Sequence, residues 1–599
     1  MDASANDHGL DAVQIFADLD PAERGKLAAE LATLSLRRGE DLVRQGEAAD
    51  ALFIVVTGRF SVTIDGRQIA EVGPGQPIGE IAFLAGGTRT ATVTALRDSV
   101  VLRLGRSQFE ALAARNPQIL RTLNVTLARR LAEGNVSRAG APDPRPRTIA
   151  IIRAGGGSIQ PVFIEQLVAV FSARHATILV RGETVAGLIS SGSGLDSAEA
   201  TRDINTLEAR YDYVIFLADD TVTPWSEKAI RQADLVLRVG RHDSDPTPNA
   251  IERLGAELLP ADDQRLVLLH DTRTEISGTK RWLRGRDVAM HHHVALDTIG
   301  DVERLYRFVN GTALGFVACG GGAYCVSHIG LYKALTEAGM VFDIVGGTSG
   351  GGAMTAAFAI GEPPGEVHRR TNEIFVTHKG MARYTWPVYS LLDHTHFDRL
   401  LLEHYGTGLI EDLWVPFFAV STNLSNYELH VHRTGSIFAA VRATGSIPVL
   451  LPPFYTEDGH MLVDGALTDN VPVRTMRELK TGPNVVATFS VPRLETFDVN
   501  YSQLPGRSAM MRRMALPFGR RRRLPAAPPL ATVLMRSIMA NPHMFEQHLR
   551  PDDLVMMPPL PEGMGILDWH RNAEVVESSY GWGKTEIARL RAAGHPALG

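Results

Sequence analysis

At 599 residues the chain is too long for a single hydrophobic core, and roughly three or four compact units are expected. An apolar fraction of 44% with 21% charged residues excludes wholesale disorder and collagen-like repeats. A net charge of -6 spread over such a length argues against a general nucleic-acid binder.

The N-terminus, MDASANDHGLDAVQ, carries neither a basic n-region nor an apolar h-region, so no signal peptide is expected. No uninterrupted apolar run of about 18 residues follows anywhere, so no membrane span is expected either. From Val13 the sequence first reads helical, then breaks into short β-like runs punctuated by Gly39, Gly46, Gly58, Gly66, Gly73 and Gly75. That spacing predicts a jelly roll or small barrel, with strands over Ala51–Val56 and Phe60–Ile64. Helical periodicity returns from Phe109 to Leu131.

Within this first domain, assigned to residues 10–138, the stretch from Gly75 to Val93 sets a tight turn, a carboxylate and an arginine close together. Glu80 can accept from a ribose hydroxyl, the amides near Gly79 and Ile81 can face a phosphate, and Arg89, next to Thr90, can pair with a cyclic phosphate. The stretch resembles the phosphate-binding cassette of cyclic-nucleotide-binding domains, which implies a cyclic nucleotide effector. The alternative is a domain that keeps the fold without the ligand, Glu80 and Arg89 forming an internal ion pair.

Prolines and glycines at 139–147 cannot continue a helix and mark a spacer. From 148 to 310, buried-strand candidates (Thr148–Ile152, Ala176–Val180, Tyr213–Ala218, Leu235–Val239, Leu266–His270) alternate with helical stretches, the pattern of a parallel α/β sheet. The run Val214–Asp220 superficially resembles a Walker B strand, but the turn Arg153–Ser158 lacks the lysine that holds a β/γ-phosphate. The domain therefore reads as an α/β spacer without a P-loop. His291, His292 and His293 read as a packing or surface cluster, since adjacent residues on a strand cannot all face one ion.

A second α/β pattern, assigned to 312–480, begins at Ala313. Phe316–Ala318 leads into the glycine-rich turn Gly320, Gly321, Gly322 and Ala323, and a helix follows from His328. Backbone amides in such a turn can hold the oxyanion of a tetrahedral intermediate. Next, Phe342–Val345 reads as a buried strand, Gly347-Thr348-Ser349-Gly350-Gly351 as a tight turn, and Ala353–Ala359 as a helix. Strand, turn and helix make a nucleophile elbow. Glycines on either side of Ser349 are expected to supply a positive φ and room for the acyl group. A serine hydroxyl needs a base, and Asp464, closing the apolar run Met461–Val463 before Gly465, is the candidate.

These three elements, in this order, resemble the patatin-like phospholipases, and the whole layout resembles the neuropathy-target-esterase branch with its N-terminal cyclic-nucleotide-binding-like domain. The resemblance implies a multidomain chain: an N-terminal β jelly roll with flanking helices, a middle α/β domain and a C-terminal α/β/α patatin-like domain. It also implies hydrolysis of phospholipid or lysophospholipid acyl esters by a Ser349/Asp464 dyad, with no required cofactor and no metal. The loop departs from the family pattern where Tyr324 and Cys325 replace the usual arginine and glycine. A left-handed backbone at Cys325 would strain it, and a misaimed amide would slow the reaction.

The only two cysteines, Cys319 and Cys325, are too few for a disulfide framework and read as buried packing, which suits the cytoplasm. Residues 481–599 extend the catalytic domain and include a basic loop, 505–529. There Arg507, Arg512, Arg513 and Arg520 to Arg523 stand among methionines, Leu516 and Phe518, a composition suited to peripheral contact with an anionic membrane. The competing reading is a cyclic-nucleotide-responsive binding protein whose patatin-like domain is weakly active or inactive. Oligomeric state is not encoded in any feature of the sequence.

Overall fold

Among the described residues, alternating apolar positions fold the front of the chain into eight strands: β1 (Ala32–Leu36), β2 (Asp41–Val43), β3 (Ala51–Thr57), β4 (Phe60–Ile64), β5 (Arg67–Val72), β6 (Pro77–Ile78), β7 (Thr92–Ala95) and β8 (Ser99–Gly105). The computed structural model describes residues 31–115, 145–189, 194–489, 499–514 and 544–598, with 527, 528, 533 and 537. The eight strands form two antiparallel sheets, ordered β1-β8-β3-β6 and β2-β7-β4-β5. Phe53, Val55, Phe60, Val93 and Val101 fill the space between them, as a jelly roll requires. Helix α1 (Glu80–Ala85) follows β6, and α2 (Arg106–Arg115) starts the helix read from the sequence. The remainder of that helix and spacer residues 139–144 lie outside the described residues, as does the helical reading near Val13.

A second domain of the same unit, Met1–Asn310, is a six-stranded sheet of β9 (Thr148–Arg153), β10 (Thr177–Arg181), β11 (Tyr213–Leu217), β12 (Leu235–Arg241), β13 (Gln264–His270) and β14 (Met290–Ala295). All neighbours are parallel, in the order β10-β11-β9-β12-β13-β14. Its strands are apolar on both sides because both sides are covered. Ile149, Ile151 and Leu237 meet α3 (Pro161–Ser172) and α7 (Ile299–Val309), while Ala150, Ile152 and Val236 meet α4 (Ala198–Arg210), α5 (Pro224–Gln232) and α6 (Ala250–Leu258).

The turn after β9 is closed by its own chain: Gly156 donates to the Asp245 carbonyl at 2.9 Å and Gly155 to Glu252 Oε2 at 3.0 Å. His292 is buried against Phe308, and His293 lies 3.0 Å from His270.

A buried ion cluster, invisible in the sequence, joins this domain to the jelly roll. Asp98, in the turn between β7 and β8, accepts from Lys228 Nζ at 2.8 Å and from Arg231 Nε at 3.0 Å, both on α5. Beside it, Arg97 pairs with Glu208 and Asp234.

The second unit, Gly311–Gly599, is built on β15 (Gly315–Ala318), β16 (Ile344–Thr348), β17 (Phe417–Asn423), β18 (Glu428–His432), β19 (Phe454–Tyr455), β20 (Met461–Asp464), β21 (Asn484–Ala487) and β22 (Leu554–Met556). The path is β19-β20-β17-β16-β15-β21-β22, with β18 also on β17. Strands β17, β16, β15, β21 and β22 pair in parallel, while the β17–β18, β17–β20 and β19–β20 pairings are antiparallel. Its helices among the described residues include α8 (Ser327–Glu337), α9 (Ser349–Ile360), α10 (Pro364–Asn372), α11 (His394–Tyr405), α12 (Ile437–Thr444), α13 (Val473–Leu479) and α14 (Asn572–Ala592). Among the described residues no helix is long and apolar enough to cross a membrane.

Candidate active site

The elbow differs from its sequence reading in one informative respect. Strand β16 runs through both Gly346 and Gly347 to Thr348, and α9 starts at the serine itself. The left-handed backbone falls on Ser349, with φ of 52°, whereas Gly347 and Gly351 have no positive φ. Those glycines are required by close approach instead. A Cβ on Gly347 would lie 2.5 Å from the Ala318 carbonyl oxygen, and one on Gly351 2.4 Å from that of Cys319. The turn is thus pressed against the end of β15, and a non-glycine residue with a left-handed backbone at position 349 carries about 1 to 2 kcal/mol of strain.

Ser349 Oγ donates to Asp464 Oδ2 at 2.6 Å, joining residues far apart in the chain. Asp464 ends β20, which pairs antiparallel with β17, so the carboxylate stands beside the elbow at the same sheet edge. Its other oxygen accepts from the Ala466 amide at 2.9 Å, and its own amide donates to the Ser446 carbonyl at 2.9 Å. Both residues are buried, Ser349 6% and Asp464 3% exposed. Burial pushes the Asp464 carboxyl up to about 6, and the bonds from Ser349 and Ala466 only partly oppose it.

Of the four residues proposed to line the oxyanion loop, the structure leaves two amides open. Gly320 donates to Asn470 Oδ1 at 3.1 Å, and Ala323 donates to the Ile566 carbonyl at 2.8 Å. Ala323 is thereby removed from the expected donors, because a backbone carbonyl already holds its only N–H. Among the described residues the Gly321 and Gly322 amides donate to no protein group. Gly322 carries the loop's positive φ, 56°, and a Cβ there would meet the Ile566 carbonyl oxygen at 2.4 Å.

The departure at Tyr324 and Cys325 costs no such strain. Cys325 has no positive φ and lies in a 3-10 turn, Gly322–Val326. Tyr324 donates its hydroxyl to the Met564 carbonyl at 2.8 Å, tying the loop to the segment that holds Ala323. Burial raises both thiols, Cys319 to about 12, so they stay protonated and pack. His328, stacked on Phe489 and bonded to the Cys319 carbonyl at 3.0 Å, is pushed down to about 4 by burial and is neutral.

Two site residues had no sequence signal. Thr444, at the end of α12, accepts the Ser349 amide on its hydroxyl at 2.8 Å. Asn470 grips Gly320 from both sides, its Nδ2 donating to the Gly320 carbonyl at 3.3 Å.

In the jelly roll, Gly79 is left-handed, with φ of 79°, and opens α1 at Glu80. Glu80 and Arg89 are both buried, while Ile81 and Thr90 are exposed. Arg89 faces inward: Nη1 donates to the Gly79 carbonyl at 3.1 Å and Nη2 to the Ala51 carbonyl at 2.7 Å. Its Nε is buried without a partner among the described residues, and burial lowers its pKa against the pull of Asp50, Glu47 and Glu80. In the basic loop the backbone of Arg507–Met514 is helical; the side chains of Arg512, Arg513 and Met514, together with Leu516, Phe518 and Arg520 to Arg523, lie outside the described residues.

Comparison with known proteins places these parts in context. Residues 316–477 match the family described as patatin-like phospholipase, 33–116 the cyclic nucleotide-binding domain, and 147–313 the neuropathy target esterase family P-loop like domain. The chain is 27% identical over 94% of its length to lysophospholipase nte1 of Aspergillus fumigatus, of which it spans 42%. It is 33% identical over 78% of its length to an uncharacterized NTE family protein of Mycobacterium tuberculosis, covering 77% of that protein. The catabolite activator protein of Thermus thermophilus is 31% identical over 20% of this chain and 60% of its own, with a TM-score of 0.20.

Proposed function

Because this chain belongs to the neuropathy target esterase family, we propose that it is a serine lipid acyl hydrolase acting on phospholipid or lysophospholipid esters. The observation that carries the reading is the 2.6 Å hydrogen bond from Ser349 Oγ to Asp464 in a buried site. Ser349 attacks the ester carbonyl carbon while its proton passes to Asp464, whose raised pKa makes it a stronger base than an ordinary carboxylate. The tetrahedral oxyanion rests on the Gly321 and Gly322 amides and on the positive end of α9. Asp464 returns the proton to the leaving alcohol, and water activated by the same carboxylate releases the fatty acid and restores the hydroxyl. The residues use neither metal nor organic cofactor.

A cyclic nucleotide is the proposed effector of the front domain. In that reading Arg89 exchanges the Gly79 and Ala51 carbonyls for the cyclic phosphate, and Glu80 accepts from the ribose. Fatty-acid release from a lysophospholipid panel, with and without cyclic nucleotides, tests both parts. Turnover abolished in Ser349→Ala and Asp464→Asn supports the dyad, and full turnover in both variants overturns it. A change in rate on adding cyclic AMP or cyclic GMP, lost in Arg89→Ala, supports the effector.

A further inference from the structure

Between α10 and α11 the chain puts out a finger of residues with an unusual surface. Tyr384, Trp386, Val388 and Tyr389 are between 75% and 87% exposed, although large apolar side chains are normally withdrawn from water. The finger is built, not slack. Tyr384 and Leu392 bridge in antiparallel fashion, Thr385 donates to the Leu391 carbonyl at 3.0 Å, and Val388 donates to the Trp386 carbonyl at 2.8 Å across the tip. Its base is anchored: Leu392 is buried in the core, and Leu391 and Leu392 donate to the carbonyls of Val449 and Leu450 at 2.8 and 3.0 Å.

That base leads to the reacting groups. Segment 444–450, to which the finger is bonded, also supplies the Thr444 hydroxyl that accepts the Ser349 amide and the Ser446 carbonyl that accepts the Asp464 amide. Val449 is itself half exposed, with φ of 68°, and adds a further apolar group beside the finger's foot.

The charge pattern selects the partner. Between Glu373 and Asp393 there is no acidic residue, while Lys379 and Arg383 stand exposed at the finger's root, in a chain whose net charge is -6. Tryptophan and tyrosine with flanking cations suit the boundary of an anionic bilayer, where the rings reach the acyl region and the cations stay with the headgroups.

We propose that residues 381–390 dock the catalytic domain onto an anionic lipid surface, bringing the Ser349 site to its substrate. The choice of a lipid partner rests on the hydrolase reading. The full chain is sedimented with phosphatidylcholine–phosphatidylglycerol vesicles and with pure phosphatidylcholine vesicles, alongside Trp386→Ser/Tyr389→Ser and Lys379→Glu/Arg383→Glu. Hydrolysis of a monomeric short-chain ester and the thermal midpoint are measured in parallel.

The expected result is that wild type binds the anionic vesicles, that each double variant binds them roughly tenfold more weakly or worse, and that soluble-ester turnover and thermal midpoint do not move. Unchanged vesicle binding in the aromatic variant overturns the proposal. So does a wild type that ignores vesicles but self-associates through the finger. Variant-sensitive vesicle binding by a protein that hydrolyses no ester supports the docking surface while the hydrolase reading fails.

Discussion

The Thr444 hydroxyl accepts a hydrogen bond from the backbone amide of Ser349 at 2.8 Å and donates one to the Val420 carbonyl, so the strained residue of the elbow is tethered to β17 through one side chain. The tether holds the Ser349 backbone without touching the Ser349 Oγ or the Asp464 carboxylate.

Removing this tether leaves a buried N–H unpaired, which costs about 1 to 3 kcal/mol. Thr444→Ala is therefore expected to lower kcat roughly ten- to a hundredfold on a soluble ester, and Thr444→Ser to restore most of it. Steady-state kinetics of both variants check this. Equal losses in the two would mean that packing of the methyl group, not the hydrogen bond, is what matters.

The proposed role of Asp464 makes a pH prediction. Its carboxyl lies at about 6 against an ordinary 3.8, chiefly because burial disfavours the anion. Only the anion can accept the Ser349 proton, so kcat/KM is expected to rise with pH along a limb centred near 6. The stability effect has the opposite sign. A raised carboxyl favours the folded chain fully below its ordinary value and loses that contribution as pH climbs through about 6. The shift corresponds to about 3 kcal/mol, so Asp464→Asn is expected to abolish turnover yet raise the thermal midpoint near pH 7 to 8. A rate limb near pH 4 would contradict this environment.

What could be read in advance was set by local pattern. The jelly-roll strands, the parallel sheet of buried strands and the order of glycine turn, elbow and Asp-Gly turn each leave a periodic or motif signal within a few residues. The position of the positive φ did not, because it depends on how closely the elbow presses on Ala318 and Cys319. Thr444, Asn470 and the engagement of Ala323 by Ile566 were equally hidden, since each partner comes from a distant segment that only tertiary closure brings in. Cys325 seemed a liability because the loop's left-handed residue could not be located from sequence; it is Gly322.

The close approach at the elbow gives a steric prediction. Gly347 has no positive φ, so alanine is permitted there by backbone conformation, and what forbids it is crowding: the added Cβ would lie 2.5 Å from the Ala318 carbonyl oxygen and 2.8 and 2.9 Å from the backbone of Gly351 and Gly352. Gly347→Ala is expected to displace the elbow, with loss of most activity and destabilisation of about 1 to 3 kcal/mol. Gly339, whose φ is 87° but whose Cβ would meet nothing within 4 Å, provides the contrast. Gly339→Asn is expected to leave activity intact, asparagine being tolerated in that region. Thermal melts and esterase rates of the two variants separate crowding from backbone strain.

The final prediction concerns Asp98, which stands between Lys228 and Arg231 in a cluster almost wholly withdrawn from water. Arg231 has a second partner in Asp196, whereas Lys228 otherwise has the Thr201 hydroxyl at 2.8 Å and no other carboxylate within ion-pair distance among the described residues. Burial already lowers the lysine's pKa, and Asp98 is the principal group opposing it. Asp98→Ala therefore strands a buried ammonium and is expected to destabilise the first unit by about 3 to 5 kcal/mol. Adding Lys228→Met removes the stranded charge, so the double variant is expected to recover a large part of that loss. Denaturant titration, with hydrogen exchange read on β8 and α5, distinguishes this from a passive surface pair, for which both substitutions would be nearly silent and additive.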